Sequence, residues 1–292
     1  MTQTLLQAWT GARERLKAAG VDSPVIDARL LLEAAAGASR LDLITDPYRE
    51  LSAAEAATME DYVLRRERRE PVARILGRKG FWKIMLNVDP HVLIPRPDTE
   101  TILDVVLAAF PEHQAFQVLD LGVGSGAILL AILAERPGAK GLGVDVSEEA
   151  IAVARDNAAH LGLGGRAALL RGDWTEGLAE ASFDLVVSNP PYIPTAVIET
   201  LDPEVRDHEP RLALDGGEDG LDAYRRLAPE ILRVLRPQGL FAVEIGWDQG
   251  PGVSALFEAA GADAVRVVKD IGLRDRVVAG VKKPLGKSTP SR

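Results

Sequence analysis

The sequence predicts an α/β protein: a doubly wound, seven-stranded, mostly parallel sheet, preceded by a small all-helical domain and joined to it by a β-hairpin. Two patterns predict the sheet. Short apolar, branched runs alternate with helical patterns from Phe116 onward, as in repeated strand–helix units. A glycine-rich turn, Gly122-Val123-Gly124-Ser125-Gly126, joins the first of these runs to an apolar helix. A third pattern predicts the front: up to Pro71 the apolar residues recur only at helical spacing.

The bulk numbers fit such a protein. The chain has 292 residues, 47% apolar and 26% charged, enough for one large or two modest domains with a core. A formal net charge of −9 argues against a grip on a long phosphate backbone, although a local basic patch can hide in an acidic total. There is no cysteine, hence no disulfide, thiolate metal site or thiol nucleophile. Met1 to Gly20 lacks an apolar h-region and carries Glu14, so it does not read as a secretory signal; a transit peptide is the second reading. No apolar run approaches membrane-spanning length, and a cytoplasmic protein is expected. His91, His113, His160 and His208 show no metal-ligand spacing, so no metal is expected.

In the helical front, Leu5, Trp9, Ala12, Leu16 and Ala19 form one stripe, closed by Gly20. Ser23-Pro24 opens a second helix with Ala28, Leu31, Leu32 and Ala35, stopped by Gly37. Ser52-Ala53-Ala54-Glu55 is a capping box whose helix runs into Arg65-Arg66-Glu67-Arg68-Arg69-Glu70. That charge run reads as a solvated helix face, or more sharply as a partner surface. No catalytic constellation is found here, and an appended module without chemistry is expected to recognise a partner. Val72–Leu76 and Phe81–Leu86, flanking Gly77-Arg78-Lys79-Gly80, read as the two strands of the hairpin. Ile94-Pro95-Arg96-Pro97-Asp98 is stiff and extended, with Asp98 placed to cap the next helix.

The first strand, Phe116–Leu121, ends in Asp120-Leu121, and the glycine turn after it lets a ligand lie against bare backbone. Its G-x-G-x-G spacing differs from the G-x-G-x-x-G of dinucleotide sites. The second strand, Gly141–Asp145, ends in an acid that can take both hydroxyls of a ribose; a helix cap is the plain alternative, for which Ser147 is the more natural residue. The third, Ala167–Leu170, leads to Asp173-Trp174, a carboxylate and a ring that suit an amino-substituted base, or an ordinary surface loop. The fourth, Phe183–Val187, delivers Ser188-Asn189-Pro190-Pro191-Tyr192. Two prolines stop that strand and stiffen the chain beyond it, displaying Asn189 at the sheet mouth. An Asn carbonyl and a neighbouring backbone carbonyl can face one NH₂ group, and Tyr192 adds a ring that can stack on a flat substrate. A plain strand-ending turn would also give Asn-Pro-Pro, but four matched positions in order weigh more than any one.

These motifs resemble S-adenosyl-L-methionine-dependent methyltransferases that modify a planar nitrogen. With Ile94-Pro95-Arg96-Pro97-Asp98-Thr99-Glu100, Glu209-Pro210, Ala213-Leu214 and Gly216-Gly217-Glu218-Asp219-Gly220-Leu221, the chain resembles the bacterial protein-glutamine N5-methyltransferases of the PrmC/HemK family over nearly its whole length. The resemblance implies a Rossmann-like methyltransferase sheet, S-adenosyl-L-methionine as cofactor, and as substrate the glutamine of the Gly-Gly-Gln motif in peptide chain release factors. It implies that Gly122, Val123, Gly124, Ser125 and Gly126 line the methionine and ribose portions. Asp120 lies near the methionine amino group, Asp145 on the ribose, Asp173 and Trp174 beside the adenine. Asn189, which also borders the cofactor, and the Pro190 carbonyl grip the target amide, with Pro191 and Tyr192 beside it. Val123 departs from the family, which usually has a polar residue there; a lost side-chain contact is expected.

The expected domains are 1–71, helical and substrate-recognising; 72–90, the hairpin; 91–284, the methyltransferase domain; and 285–292, a disordered tail. A fifth strand, Leu240–Ile245, follows a helix ending near Arg236–Gly239. Val265–Val268 and Arg276–Val281 close the sheet, one of them antiparallel. Glu244 sits at a strand end and could border the site, though a structural role is the plainer reading. A nucleic-acid exocyclic-amine methyltransferase, a glutamine methyltransferase of a ribosomal protein and a non-catalytic cofactor-binding regulator stay open. A NAD-linked oxidoreductase is disfavoured by the glycine spacing, and stable nucleic-acid binding and membrane attachment are not expected.

Overall fold

The computed structural model describes residues 3–284, so the expected tail at 285–292 lies outside the described residues. The chain forms two compact units. One runs to Arg78 and takes in Asp202–His208; the other comprises Lys79–Leu201 and the chain from Glu209 onward.

The first unit is helical. It holds α1 (Leu5–Ala18), α2 (Pro24–Ala36), α3 (Asp42–Thr45), α4 (Ala53–Glu67) and α5 (Val72–Leu76). Capping boxes start α1 (Thr4 with Gln7) and α4 (Ser52 with Glu55), so orphan amide donors of the first turn are satisfied by side chains. Leu5, Leu16, Leu31, Leu32, Met59, Val63 and Ile75 meet in its core. The charge run at the end of α4 is not a solvated face. Arg66 is buried, donating to Asp27 at 2.8 Å and to Glu204 at 2.9 Å, while Arg69 bonds both oxygens of Glu204 at 2.6 and 2.7 Å. Arg65 pairs with Glu70, and Glu67 with Arg15, so the run is consumed by internal ion pairs and only Arg68 stays exposed.

Val72–Leu76 is helical rather than the first hairpin strand. Pro71 stands before it, Gly77 closes it in the left-handed region at φ 67°, and Arg74 and Ile75 turn inward. The hairpin is shorter and later: β1 (Arg78–Phe81) and β2 (Ile84–Asn87) turn at Trp82-Lys83. Phe81 and Leu86 are buried in the core of the second unit.

That unit contains α6 (Glu100–Ala109), β3 (Gln117–Leu121), α7 (Ala127–Glu135), β4 (Lys140–Asp145), α8 (Glu148–His160), β5 (Ala167–Arg171), β6 (Phe183–Ser188) and α9 (Thr195–Ile198). After α10 (Pro203–Arg206), which falls in the helical unit, come α11 (Asp222–Val234), β7 (Leu235–Glu244), α12 (Gly250–Ala259), β8 (Ala262–Lys269) and β9 (Asp275–Lys282). The seven strands lie in the order β5-β4-β3-β6-β7-β9-β8, parallel except for β9. Arg236–Gly239, expected to end a helix, already belongs to β7, with a register shift opposite β6.

Alternation along the strands sorts side chains to two faces. Val118, Leu185, Val187 and Ala242 join α6, α7 and α8; Leu119, Leu121, Val186, Phe241 and Val243 join α11 and α12. Because both faces are covered, the central strands are apolar throughout, the pattern of a buried parallel sheet. Strand order reverses between β3 and β6, which places a crevice at their carboxyl ends.

Candidate active site

Register sets the site. Leu121 on β3 pairs with Val144 on β4 and with Ser188 on β6, so the chain leaves three neighbouring strands at one level, at Gly122, Asp145 and Asn189. The Ser188 hydroxyl donates to the Leu121 carbonyl at 2.7 Å, tying β3 to β6 at their last pair. Beyond this level lies a cavity of about 340 Å³.

The glycine turn needs its glycines. Gly122, Gly124 and Gly126 all have positive φ, at 72°, 52° and 84°, which side chains other than glycine adopt at a cost. Gly124 has open space where a Cβ would stand, and its amide donates to Asp145 Oδ2 at 2.9 Å. The other Asp145 oxygen accepts from the Ser147 amide at 3.0 Å, and Ser147 itself caps α8. Val123 turns into the core, where its methyl fills the place a Cβ on Gly143 would take. Its departure from a polar residue therefore contributes packing. Asn157, fully buried on α8, donates to the Ser125 carbonyl and clamps Asn87 of the hairpin in both directions. Sequence reading missed Asn157; a lone Asn on an otherwise apolar helix face was its one signal.

Asp120 is 1% exposed, accepts the Leu129 amide at 3.1 Å through Oδ2, and has no partner for Oδ1. Burial pushes its carboxyl up to about 7, the Asp145 charge adding to this against the Leu129 bond. Asp173 is ion-paired to Arg226 at 2.9 Å, and the Trp174 ring lies over Gly122.

On the other side, Asn189 and Pro191 line the cavity, whereas Pro190 is buried off its wall. Tyr192 does not present its hydroxyl to the cavity: it packs beside the core of α11 and donates to Glu244 Oε1 at 3.2 Å. Burial, then the Glu244 charge, raise its pKa, so it remains a donor. The Gly216-Gly217 stretch braces this turn. Ile193 and Asp215 bridge, and a Cβ on Gly216 would stand 2.8 Å from the Tyr192 Cα.

The structure adds wall residues that strand logic did not name: His91–Leu93, Pro95, Arg96 and Thr99 on one strap, and Pro210, Leu212 and Ala213 on another. Buried Glu209 joins the straps, holding Arg96 at 2.9 Å and the Ile94 amide at 3.2 Å. Asp98 does not cap α6; it ion-pairs with Arg276 at 3.3 Å. Thr99 is buried and accepts from Asn189 Nδ2 at 3.4 Å. The paired prolines of the strap were the available signal. Among the described residues no group of three or more His, Cys, Asp or Glu is placed to hold a metal ion.

Two family profiles match the chain: the PrmC N-terminal domain over residues 7–77 and a methyltransferase domain over residues 112–265. A release factor glutamine methyltransferase of Caulobacter vibrioides is 70% identical over 285 residues, 98% of this chain and 99% of that protein. The chain belongs to the release factor glutamine methyltransferase family. A second member, from Rhodospirillum rubrum, is 46% identical over 94% of this chain and 84% of its own length. Among solved structures, a methyltransferase from Pyrococcus furiosus shares the fold at a TM-score of 0.52 and 20% identity, covering 68% of this chain and 88% of its own. The expected doubly wound methyltransferase sheet, with its helical front and a hairpin after it, is thus the observed fold. No described helix is long and apolar enough to cross a membrane.

Proposed function

We propose that this protein transfers a methyl group from S-adenosyl-L-methionine to the side-chain amide nitrogen, N5, of the glutamine in the Gly-Gly-Gln motif of peptide chain release factors. The observation that carries it is the joining of two unlike turns, the glycine turn after β3 and Asn189-Pro190-Pro191-Tyr192 after β6, around one cavity at the switch point. The chain's membership of the release factor glutamine methyltransferase family supports the choice of substrate.

The cavity's residues fit the cofactor. Asp120 keeps a buried oxygen without a partner beside the turn, suited to an ammonium group, and Gly124 leaves its backbone open. Each Asp145 oxygen accepts one backbone N–H, which leaves lone pairs for two ribose hydroxyls. Val123, Ser125 and Gly126 complete the turn, and Asp173 and Trp174 border the adenine. When bound, S-adenosyl-L-methionine supplies the electrophilic methyl. The chain's own work is then orientation. The Asn189 carbonyl accepts a hydrogen of the target NH₂, fixing the nitrogen and pushing electron density toward it; Pro190, off the cavity wall, stiffens the turn that holds Asn189. The proton leaves after methylation, so no strong base is required. Positioning of this kind is worth about 7–11 kcal/mol of barrier. Leu41, Ile44 and Tyr48, 63%, 71% and 74% exposed on the helical unit, form the surface that docks the folded release factor. The protein acts in the cytoplasm, without stable nucleic-acid binding.

The test is incubation with labelled cofactor and, separately, a release factor, ribosomal proteins and nucleic acid, followed by mass spectrometry of the labelled product. Label on the Gly-Gly-Gln glutamine is expected. Label only on a ribosomal protein or a nucleic-acid amine would overturn the proposal.

A further inference from the structure

The carboxyl rim of the sheet carries three large apolar side chains that the site above does not use. Trp247 is 64% exposed, Leu273 is mostly exposed and Ile271 fully so. Trp247 lies on the turn after β7, and Ile271 and Leu273 on the tip that joins β8 to β9. Because β9 runs antiparallel, that tip stands at the same rim as the end of β7 and the turn after β6.

Both segments are braced. Gln249 holds the Trp247 turn: its Oε1 accepts the Gly246 amide at 2.9 Å, and its Nε2 donates to the Tyr192 carbonyl at 3.0 Å and to the Gly220 carbonyl at 3.1 Å. The turn that shows Trp247 to solvent is thus bonded directly to Asn189-Pro190-Pro191-Tyr192. Asp270 holds the tip, its Oδ1 accepting the Arg274 amide at 3.1 Å and its Oδ2 accepting from Arg276 at 3.2 Å. Arg276 also donates to the Ile245 carbonyl at 3.4 Å, just before the Trp247 turn. Leu273 has φ 62°, a conformation that glycine adopts without cost. A leucine kept there in solvent contributes no burial to the fold.

Exposed apolar side chains on rigid turns, rimmed by Asp248, Lys269 and Arg274, have the make-up of a protein-binding surface. The site says what covers them. A glutamine side chain is short, so a glutamine on a folded protein reaches Asn189 only if that protein comes down onto the rim around it. A stable interface takes about 800 Å² from each partner, a patch roughly 30 Å across. Neighbouring strands lie about 4.8 Å apart, which puts β9 and β8 only roughly 10 and 14 Å from β6. An interface of ordinary size centred on Asn189 therefore takes in Trp247 and the tip.

We propose that Trp247, Ile271 and Leu273 form the surface on which the methyltransferase unit seats the folded part of the release factor around its Gly-Gly-Gln motif, with Trp247 as the anchor. A tryptophan offers a large apolar face and an N–H for a partner carbonyl. This rests on the function proposed above, and it gives the methyltransferase unit a docking surface in addition to that of the helical unit.

The experiment uses the full chain and an intact release factor. It compares wild type, Trp247→Ala and the pair Ile271→Asp with Leu273→Asp. Release-factor Kd is measured on protein saturated with S-adenosyl-L-homocysteine, and KM and kcat in steady state. Trp247→Ala should raise Kd and KM for the release factor roughly 30-fold, the scale of an aromatic anchor, and the tip pair roughly 10-fold. The Kd of S-adenosyl-L-homocysteine and kcat at saturating release factor should stay within about two-fold, because no contact at the reacting atoms is touched. Unchanged release-factor Kd and KM in both variants would overturn the proposal. So would a fall in kcat with KM unchanged, which would make the Trp247 turn a mere support for Tyr192. A free protein that sediments as a dimer, and as a monomer once Trp247 is replaced, would give the patch to a second copy of the chain and overturn it too. Should Trp247→Ala lose S-adenosyl-L-homocysteine binding, its turn has been disturbed, and the tip pair decides by its release-factor Kd alone. A wild-type protein that leaves the Gly-Gly-Gln glutamine unlabelled would defeat the function proposed above, a result distinct from the loss of this surface.

Discussion

The turns after β3 and β6 leave paired parallel strands at the same level, yet they are built in opposite ways. The first is soft in sequence and rich in donors: its glycines have positive φ, and its backbone can meet a ligand directly. The second is stiffened by two prolines and rich in acceptors, with a buried carboxylate and two hydroxyls behind it. One suits a charged cofactor held by many small contacts. The other suits a neutral amide that must be held in one orientation. Placing both at one switch point lets a single sheet edge bind with one turn and orient with its neighbour.

The sharpest way to break this comparison is Asn189→Ala. It should lower kcat by roughly 10²–10³, as for other preorganised polar groups, while leaving cofactor affinity nearly intact in a calorimetric titration. Asp145→Ala should do the reverse. Losing a pair of charge-assisted bonds should weaken cofactor binding by about 1.5–3 kcal/mol, with a smaller effect on turnover at saturating cofactor. Equal effects of the two variants on Kd and kcat would erase the division between the turns.

Asp120 gives a pH signature on the donor side. Its folded pKa, about 7, lies above its usual value, so its contribution to folding is full below about pH 4 and is lost as pH rises through 7. The Tm of the cofactor-free protein should fall from about pH 4 to pH 7 and level off above that, and Asp120→Asn should recover about 2–4 °C of that fall in a thermal melt. Glu244 acts in the same sense, so part of the fall should remain. The smallest effect lies in the helical unit. Ile44→Asp with Tyr48→Ala should raise KM for a folded release factor several-fold, on the order of one lost apolar contact cluster, leaving cofactor Kd unchanged. An unchanged KM would remove the helical unit's docking role.

Much of this was legible in the sequence because strand ends carry their own punctuation. Gly122–Gly126, Asp145, Asp173-Trp174 and Asn189–Tyr192 announce themselves as a glycine run, a terminal acid and a proline pair. What stayed hidden depends on side chains meeting from distant segments. Thr99 meets Asn189 across the cavity wall, Asn157 ties the hairpin to Ser125, and Arg66 is consumed by Asp27 and Glu204. Val72–Leu76 misleads because a β-branched apolar run of that length suits a strand as well as a helical turn. Pro71 and the left-handed Gly77 decide for the helix, and Gly77 reads as a hairpin turn just as readily.

The most direct measurement is a structure of the protein with S-adenosyl-L-homocysteine and a Gly-Gly-Gln-containing release factor fragment. The glutamine amide nitrogen should lie about 2.7–3.2 Å from Asn189 Oδ1, with Nδ2 still on Thr99. An Asn189 oxygen turned away from that nitrogen, or a glutamine seated elsewhere, would contradict the account.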